Sequence, residues 1–154
     1  MLFFHIATNS DTDLLYQWAN DPLVRSNSYN QKPILYDEHV KWFQSVLSSG
    51  NCIIYIFHNE TQQAVGQVRI SRGEKETTIG ISIDDAFRGK SLGSQMLIMA
   101  TENYLSKYPG ESITAYIKEH NISSYKIFVK AGFKDEQKIL EHNIPSVKLT
   151  KRLK

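Results

Sequence analysis

Thr77-Thr78-Ile79-Gly80-Ile81-Ser82-Ile83 runs through Asp84-Asp85-Ala86 into Phe87-Arg88-Gly89-Lys90-Ser91-Leu92-Gly93-Ser94, and this stretch decides the fold. Its first part alternates cleanly: Ile79, Ile81 and Ile83 point to one face, and Thr78, Gly80 and Ser82 to the other, as a strand requires. One face is packed and the other carries little bulk. Residues 87–94 then form a basic, glycine-containing loop ahead of residues 92–106. There Leu92, Met96 and Met99 make one helical stripe, ended near Tyr108-Pro109-Gly110. Backbone N–H groups at a helix start lack internal partners and sit at the positive end of the helix dipole, so such a loop suits a diphosphate. Gly89 and Gly93 let a ligand come close. Neither GxxxxGK(S/T) nor GxGxxG is present, which excludes the P-loop and dinucleotide fingerprints.

Working outward, residues 52–58 and 64–71 read as a hairpin joined by a polar turn at 59–63, and residues 2–6 as a short first strand. Asn9-Ser10-Asp11 can cap a helix carrying Leu14, Leu15 and Trp18, which Asn20-Asp21-Pro22 interrupts. Residues 24–33 are polar and irregular, whereas residues 37–47 place Val40, Phe43, Val46 and Leu47 at helical spacing. Downstream come a strand at 112–117, a helix from Asn121 to about Lys130 that stops at Gly132, and two strands near 133–139 and 144–153. The expected fold is α/β, a mixed and mostly antiparallel sheet of about seven strands with helices on both faces and at least one parallel crossover.

At 154 residues the chain fits one domain, residues 1–154, with a real core. Apolar residues are 41% and charged residues 22%, as in globular proteins. Eighteen basic and 16 acidic residues leave a net charge of +2, too balanced for the basic footprint of nucleic-acid binding. No apolar run approaches the roughly 20 residues that cross a bilayer, and a cytoplasmic location is expected. The one cysteine, Cys52, opens a β-rich run and reads as a small packed hydrophobe. No metal-ligand pattern stands out.

The second informative motif is Asn121-Ile122-Ser123-Ser124-Tyr125-Lys126-Ile127-Phe128-Val129-Lys130-Ala131-Gly132-Phe133, beginning 28 residues after Gly93. With the first it resembles the cofactor motifs of the GNAT superfamily of acyl-CoA N-acyltransferases: an R/Q-x-x-G-x-G/A loop, then N-x-x-S, an aromatic residue and a terminal K-x-G-F. The resemblance spans essentially the whole chain. It implies that Arg88, Gly89, Lys90, Ser91, Leu92, Gly93 and Ser94 surround the pyrophosphate of acetyl-CoA, mostly through backbone amides. It further implies that the backbone of Ile81 and Ile83 meets the pantetheine arm where two strands splay. Asn121 and Ser124 would contact that arm from the other side, and Lys130 would approach the nucleotide phosphate. Two positions depart from the pattern. Ser91 stands where glycine is usual, so its backbone is expected to stay in a conformation tolerable with a Cβ. Phe128 stands where many members carry a proton-donating tyrosine, and phenylalanine has no proton to give. Tyr125 is a substitute acid or a packing residue; a thiol with pKa near 8.5 also leaves with little help.

An attacking amine must be neutral, so a base is expected near the acceptor. His39 ranks first, with Glu38 and Asp21 as further candidates. Asp21 and Glu38 also suit helix starts; Asp84 and Asp85, which follow the cofactor strand, suit either a base or a turn, and Trp18 and Trp42 suit the core more than a sugar platform. The segments around residues 18–25 and 38–43 are similar to members that acetylate nucleotide-linked amino sugars, which makes that small-molecule amine the leading acceptor. A protein N-terminus or a small polyamine is the alternative, and a non-catalytic acyl-CoA-binding module the alternative of another class. Edges near the C-terminus suit pairing into a homodimer.

Overall fold

In the computed structural model, which describes residues 1–153, seven strands form one sheet in the order β1-β2-β3-β4-β5-β7-β6. The strands are β1 (Phe3–Ile6), β2 (Cys52–His58), β3 (Ala64–Arg72), β4 (Thr77–Ile83), β5 (Ser112–Lys118), β6 (Lys134–Glu141) and β7 (Ile144–Arg152). The helices are α1 (Thr12–Ala19), α2 (Pro22–Asn27), α3 (Tyr36–Ser49), α4 (Gly93–Lys107) and α5 (Ile122–Lys130). Every strand pair is antiparallel except β4 with β5. That pair is the crossover through α4 expected from the strand, helix, strand passage.

The period of two divides the sheet between two cores. On one face Tyr55, Phe57, Val68, Ile70, Ile79, Ile113 and Ala115 pack under Met96, Leu97, Ala100 and Tyr104 of α4 and Phe128 of α5. On the other, Ile54 and Ile56 meet Leu15 and Trp18 of α1 and Phe43 of α3. Ile81 and Ile83 join Ile79 against the α4 side, as their alternation requires.

α2 departs from the sequence reading, which left residues 24–33 irregular. Asp21 does interrupt the first helix, but its carboxylate then accepts the N–H groups of Leu23 (2.9 Å) and Val24 (3.3 Å). Pro22 occupies the first helical position, where its missing N–H costs nothing. The same three residues therefore end one helix and start the next.

Candidate active site

β4 and β5 are paired only at Thr77 with Ile113 and Thr78 with Thr114; beyond these the two strands part. On its other edge β4 follows β3 to the end, with Ile83 opposite Gly66. The Asp84 N–H donates to the Val65 carbonyl at 2.8 Å, which fixes the phase of that ladder. Hydrogen-bonded and non-bonded pairs alternate in an antiparallel ladder, so Ile81 and Ile83, which lie beyond the last β4–β5 pair, direct their backbone groups away from β3 and into the split. This is where the family resemblance expects the pantetheine arm.

The loop beyond β4 supplies the donors. Among the described residues, no carbonyl or side chain accepts from the backbone N–H groups of residues 89–95; the first in-helix bond is Met96 N–H to the Leu92 carbonyl at 3.0 Å. Gly89 has φ +74° and Ser91 φ +60°, followed by Leu92 in the right-handed region. Alternating hands turn successive N–H groups the same way and make an anion-binding concavity. Ser91 thus corrects an expectation: it adopts the glycine-like conformation itself, at a cost of roughly 1–2 kcal/mol. Gly93 corrects another. A Cβ there would lie 2.8 Å from Ile127 Cδ1 and 3.2 Å from Ile83 Cδ1, so this glycine admits α5 and β4 rather than a ligand. A Cβ at Gly89 would meet nothing within 4 Å, so this glycine is the open one.

Arg88 does not extend toward the loop's concavity. Its guanidinium donates to Asp21 at 2.8 Å and Asp85 at 3.2 Å. Burial alone would raise the Asp21 carboxyl, but the Arg88 bond and charge, with the Val24 and Leu23 amides, hold it below its ordinary value. Lys90 lies over the Phe87 ring at 5.6 Å. Asn121 caps α5 by accepting the Ser124 N–H at 3.3 Å, and Lys130 is exposed in the last turn of that helix. Phe128 is buried edge-on against Phe133, so its ring serves the core.

The candidate bases and acids scatter. His39 is 2% exposed, and its Nε2–H donates to the Thr12 carbonyl at 3.0 Å. Its ring packs among Tyr16, Trp42 and Phe43. Glu38 is exposed in the first turn of α3. The Tyr125 hydroxyl donates to the Glu136 carboxylate, which pushes its ionisation up. Asp84, by contrast, stands at the end of β4 beside the split. One carboxylate oxygen accepts the Trp18 indole N–H at 2.8 Å and the other the Ala86 N–H at 2.9 Å. Trp18 is core, as expected; Trp42 is not, being 39% exposed with the Arg69 guanidinium 5.3 Å from its ring.

Several residues that sequence reading did not single out line the helix α1 and α3 side of the split. Gln67 donates to the Ser82 hydroxyl at 2.9 Å, and a Cβ at Gly80 would meet nothing within 4 Å. Lys118, at the end of β5, is 3% exposed; its Nζ donates to the carbonyls of Ser28 (2.7 Å) and Ser26 (3.3 Å) and lies over the Tyr29 ring. Tyr29 in turn shares a 2.7 Å hydrogen bond with Ser146 of β7. The alternation of Thr114, Tyr116 and Lys118 was the one available signal for this polar face. A concavity of about 460 Å³ lies elsewhere, a polar trough on the open face of β5, β7 and β6 near Glu76, Thr114 and Lys148. No cluster of potential metal ligands occurs among the described residues.

Comparison with known proteins agrees with this geometry. The acetyltransferase (GNAT) domain family matches residues 2–134. An uncharacterized protein of Methanocaldococcus jannaschii is 33% identical over 134 residues, 85% of this chain; the chain spans only 28% of that relative's length. A solved domain from Methanocaldococcus jannaschii is 28% identical, with TM-score 0.80 over 97% of this chain and 98% of that one. The fold is also that of a spermidine N-acetyltransferase from Vibrio cholerae solved with CoA and spermine, at TM-score 0.86, 12% identity and coverage of 97% and 94%. An aminoglycoside acetyltransferase solved with coenzyme A and kanamycin gives TM-score 0.82, 17% identity and coverage of 99% and 95%. With a parted β4 and β5, a row of free amides opening α4 and a family match over most of its length, the chain belongs to the GNAT family of acetyltransferases.

Proposed function

We propose that the acetyl group of acetyl-CoA passes directly to the primary amine of a sugar carried on a nucleotide, within a ternary complex. The observation that supports this acceptor is the charge of the face it would enter. Arg25 and Arg69 lie near enough for repulsion: burial first, and then the Arg69 charge, holds the Arg25 guanidinium below its ordinary value. Among the described residues neither meets a carboxylate, and Lys118 is held by two carbonyls and the Tyr29 ring. Of the carboxylates at this face, Asp21 is engaged with Arg88 and Asp84 with Trp18, while Glu141 lies close enough to add to burial in pushing the Tyr29 and Tyr116 phenols up. Such a face favours an acceptor that brings phosphate and disfavours a polycation.

In this reading the diphosphate of acetyl-CoA rests on the amides of residues 89–95, and the thioester reaches the free backbone of Ile81 and Ile83, whose N–H groups face the developing oxyanion. Asp84 takes the amine proton, directly or through one water, since its oxygens keep lone pairs beyond the two bonds they accept. His39 holds α3 to α1 instead, because its Nε2 is committed and its ring is enclosed. The thiolate takes its proton from water, with a pKa near 8.5 making it a tolerable leaving group.

Free-thiol release tests the acceptor, with a nucleotide-linked amino sugar, the same sugar without its nucleotide, spermidine and a peptide with a free N-terminus. The nucleotide-linked sugar is expected to give the highest kcat/KM. Faster turnover of spermidine would overturn the reading, and acetyl-CoA binding without thiol release for any acceptor would indicate a binding module.

A further inference from the structure

The resemblance that identifies the loop also expects Arg88 at the diphosphate, yet its side chain is committed elsewhere. Two carboxylates share its guanidinium, one through each terminal nitrogen. The side chains of Arg88 and Asp21 are only 24% and 19% exposed, so their contact is shielded from solvent. A guanidinium neutralised twice over contributes little field to an incoming phosphate, whose binding then falls to the backbone amides.

What Arg88 does hold is α2. This helix has six residues, too few to persist in water by itself. Its start is capped by Asp21, the residue that Arg88 grips. The preceding helix is fixed to the same loop by Trp18 and Asp84. At its other end, the carbonyls of Ser26 in its last turn and of Ser28 at its C-cap are bound by Lys118 at the tip of β5, and just beyond, Tyr29 is bound by Ser146 of β7. Since β4 and β5 part beyond Thr78 and Thr114, α2 spans from one lip of the split to the other. Arg88 is also the residue immediately before the free amides of the cofactor loop.

We propose that Arg88 is a positioning residue that acts through Asp21, registering the α2 strap across the split and coupling it to the cofactor loop. Closure of the loop on coenzyme A carries the Arg88 backbone with it, and Asp21 transmits that to the wall of the acceptor side. The inference holds for any amine acceptor.

The test combines amide hydrogen exchange at Leu23, Val24 and Arg25 with calorimetric titration of coenzyme A. In R88Q, the coenzyme A dissociation constant is expected to stay within about threefold of the wild type, because backbone amides do the holding. Exchange at the three α2 amides is expected to speed up roughly ten- to a hundredfold, the factor that one or two charge-assisted hydrogen bonds represent. Coenzyme A is expected to slow those amides in the wild type and to leave them unprotected in R88Q, and R88K to restore part of the coupling. D21N leaves Arg88 and the loop intact, and is expected to speed exchange as R88Q does, which keeps the test decisive should R88Q fold poorly. A coenzyme A affinity weakened more than tenfold in R88Q, with α2 exchange unchanged, would make Arg88 a diphosphate ligand and overturn the proposal. Unaltered exchange in D21N would overturn it as well.

Discussion

Replacing Gly66 by alanine probes what fixes the end of the cofactor strand. Gly66 lies on β3 opposite Ile83, and a Cβ added there would stand 2.5 Å from the Ser82 carbonyl oxygen, 2.8 Å from Met96 Cε and 3.1 Å from Ile83 Cα. Met96 can swing its terminal methyl away, but the other two atoms are backbone. Restoring an ordinary carbon to oxygen separation of about 3.3 Å requires β4 to move by roughly 0.8 Å. Overpacking of this kind costs about 1–3 kcal/mol, which for a domain of this size lowers Tm by roughly 2–12 °C. The displaced segment carries the backbone of Ile83 toward the split, so kcat/KM is expected to fall on the order of tenfold to a hundredfold. Calorimetry and thiol release measure the two effects. Gly80→Ala is the matched control on the partner strand, where a Cβ meets nothing within 4 Å; its stability is expected to stay within about 0.5 kcal/mol of the wild type. A Gly66→Ala protein as stable and as active as Gly80→Ala would refute the reasoning.

Asp84→Asn keeps the shape that receives the Trp18 indole but has no basic oxygen. We expect kcat/KM at neutral pH to fall by about 10²–10⁴-fold and to recover as pH rises toward the pKa of the amine, read from a pH–rate profile; a loss below threefold would remove Asp84 as base. His39→Ala is expected to cost about 2–4 kcal/mol in denaturant melts while the folded enzyme keeps its rate within a few-fold. A thousandfold loss of kcat in well-folded protein would return His39 to the chemistry. Burial pushes the fully enclosed Tyr55 phenol up to about 12. The folded state therefore binds more protons than the unfolded state above pH 10, and stability falls as pH rises from about 10 to 12. Tyr55 alone accounts for a loss of roughly 2–3 kcal/mol across that window. Tyr55→Phe should flatten the decline; an unchanged slope would show that other groups cause it.

Residues that act through local backbone periodicity were legible, and residues that act through long-range assembly were not. The alternation of Ile79, Ile81 and Ile83 announced both the strand and its packed face, and the loop from Phe87 to Ser94 announced its free amides. α2 escaped because Asp21 and Pro22 carry two opposite meanings, a stop for α1 and a start for a second helix. His39 escaped because its position on α3 says nothing of Thr12, 27 residues earlier, whose carbonyl claims its Nε2. The polar face of the split is harder still: Lys118 meets Ser28 across 90 residues, and Trp18 meets Asp84 across 66. Those contacts exist only once the sheet has brought its strands together. Ser91 shows the limit of reasoning by residue type, since the demand of the loop for a left-handed residue overrode the preference of a side chain with a Cβ.

Acetyl transfer as proposed requires coenzyme A to lie along residues 89–95 and between the parted ends of β4 and β5. Assigned amide spectra recorded as coenzyme A is added test this most directly. The largest shifts are expected at the amides from Gly89 to Ser94 and at Ile81 and Ile83. Saturable shifts at Thr114, Lys148 and Thr150 in the polar trough, with the loop and β4 amides unmoved, would contradict it.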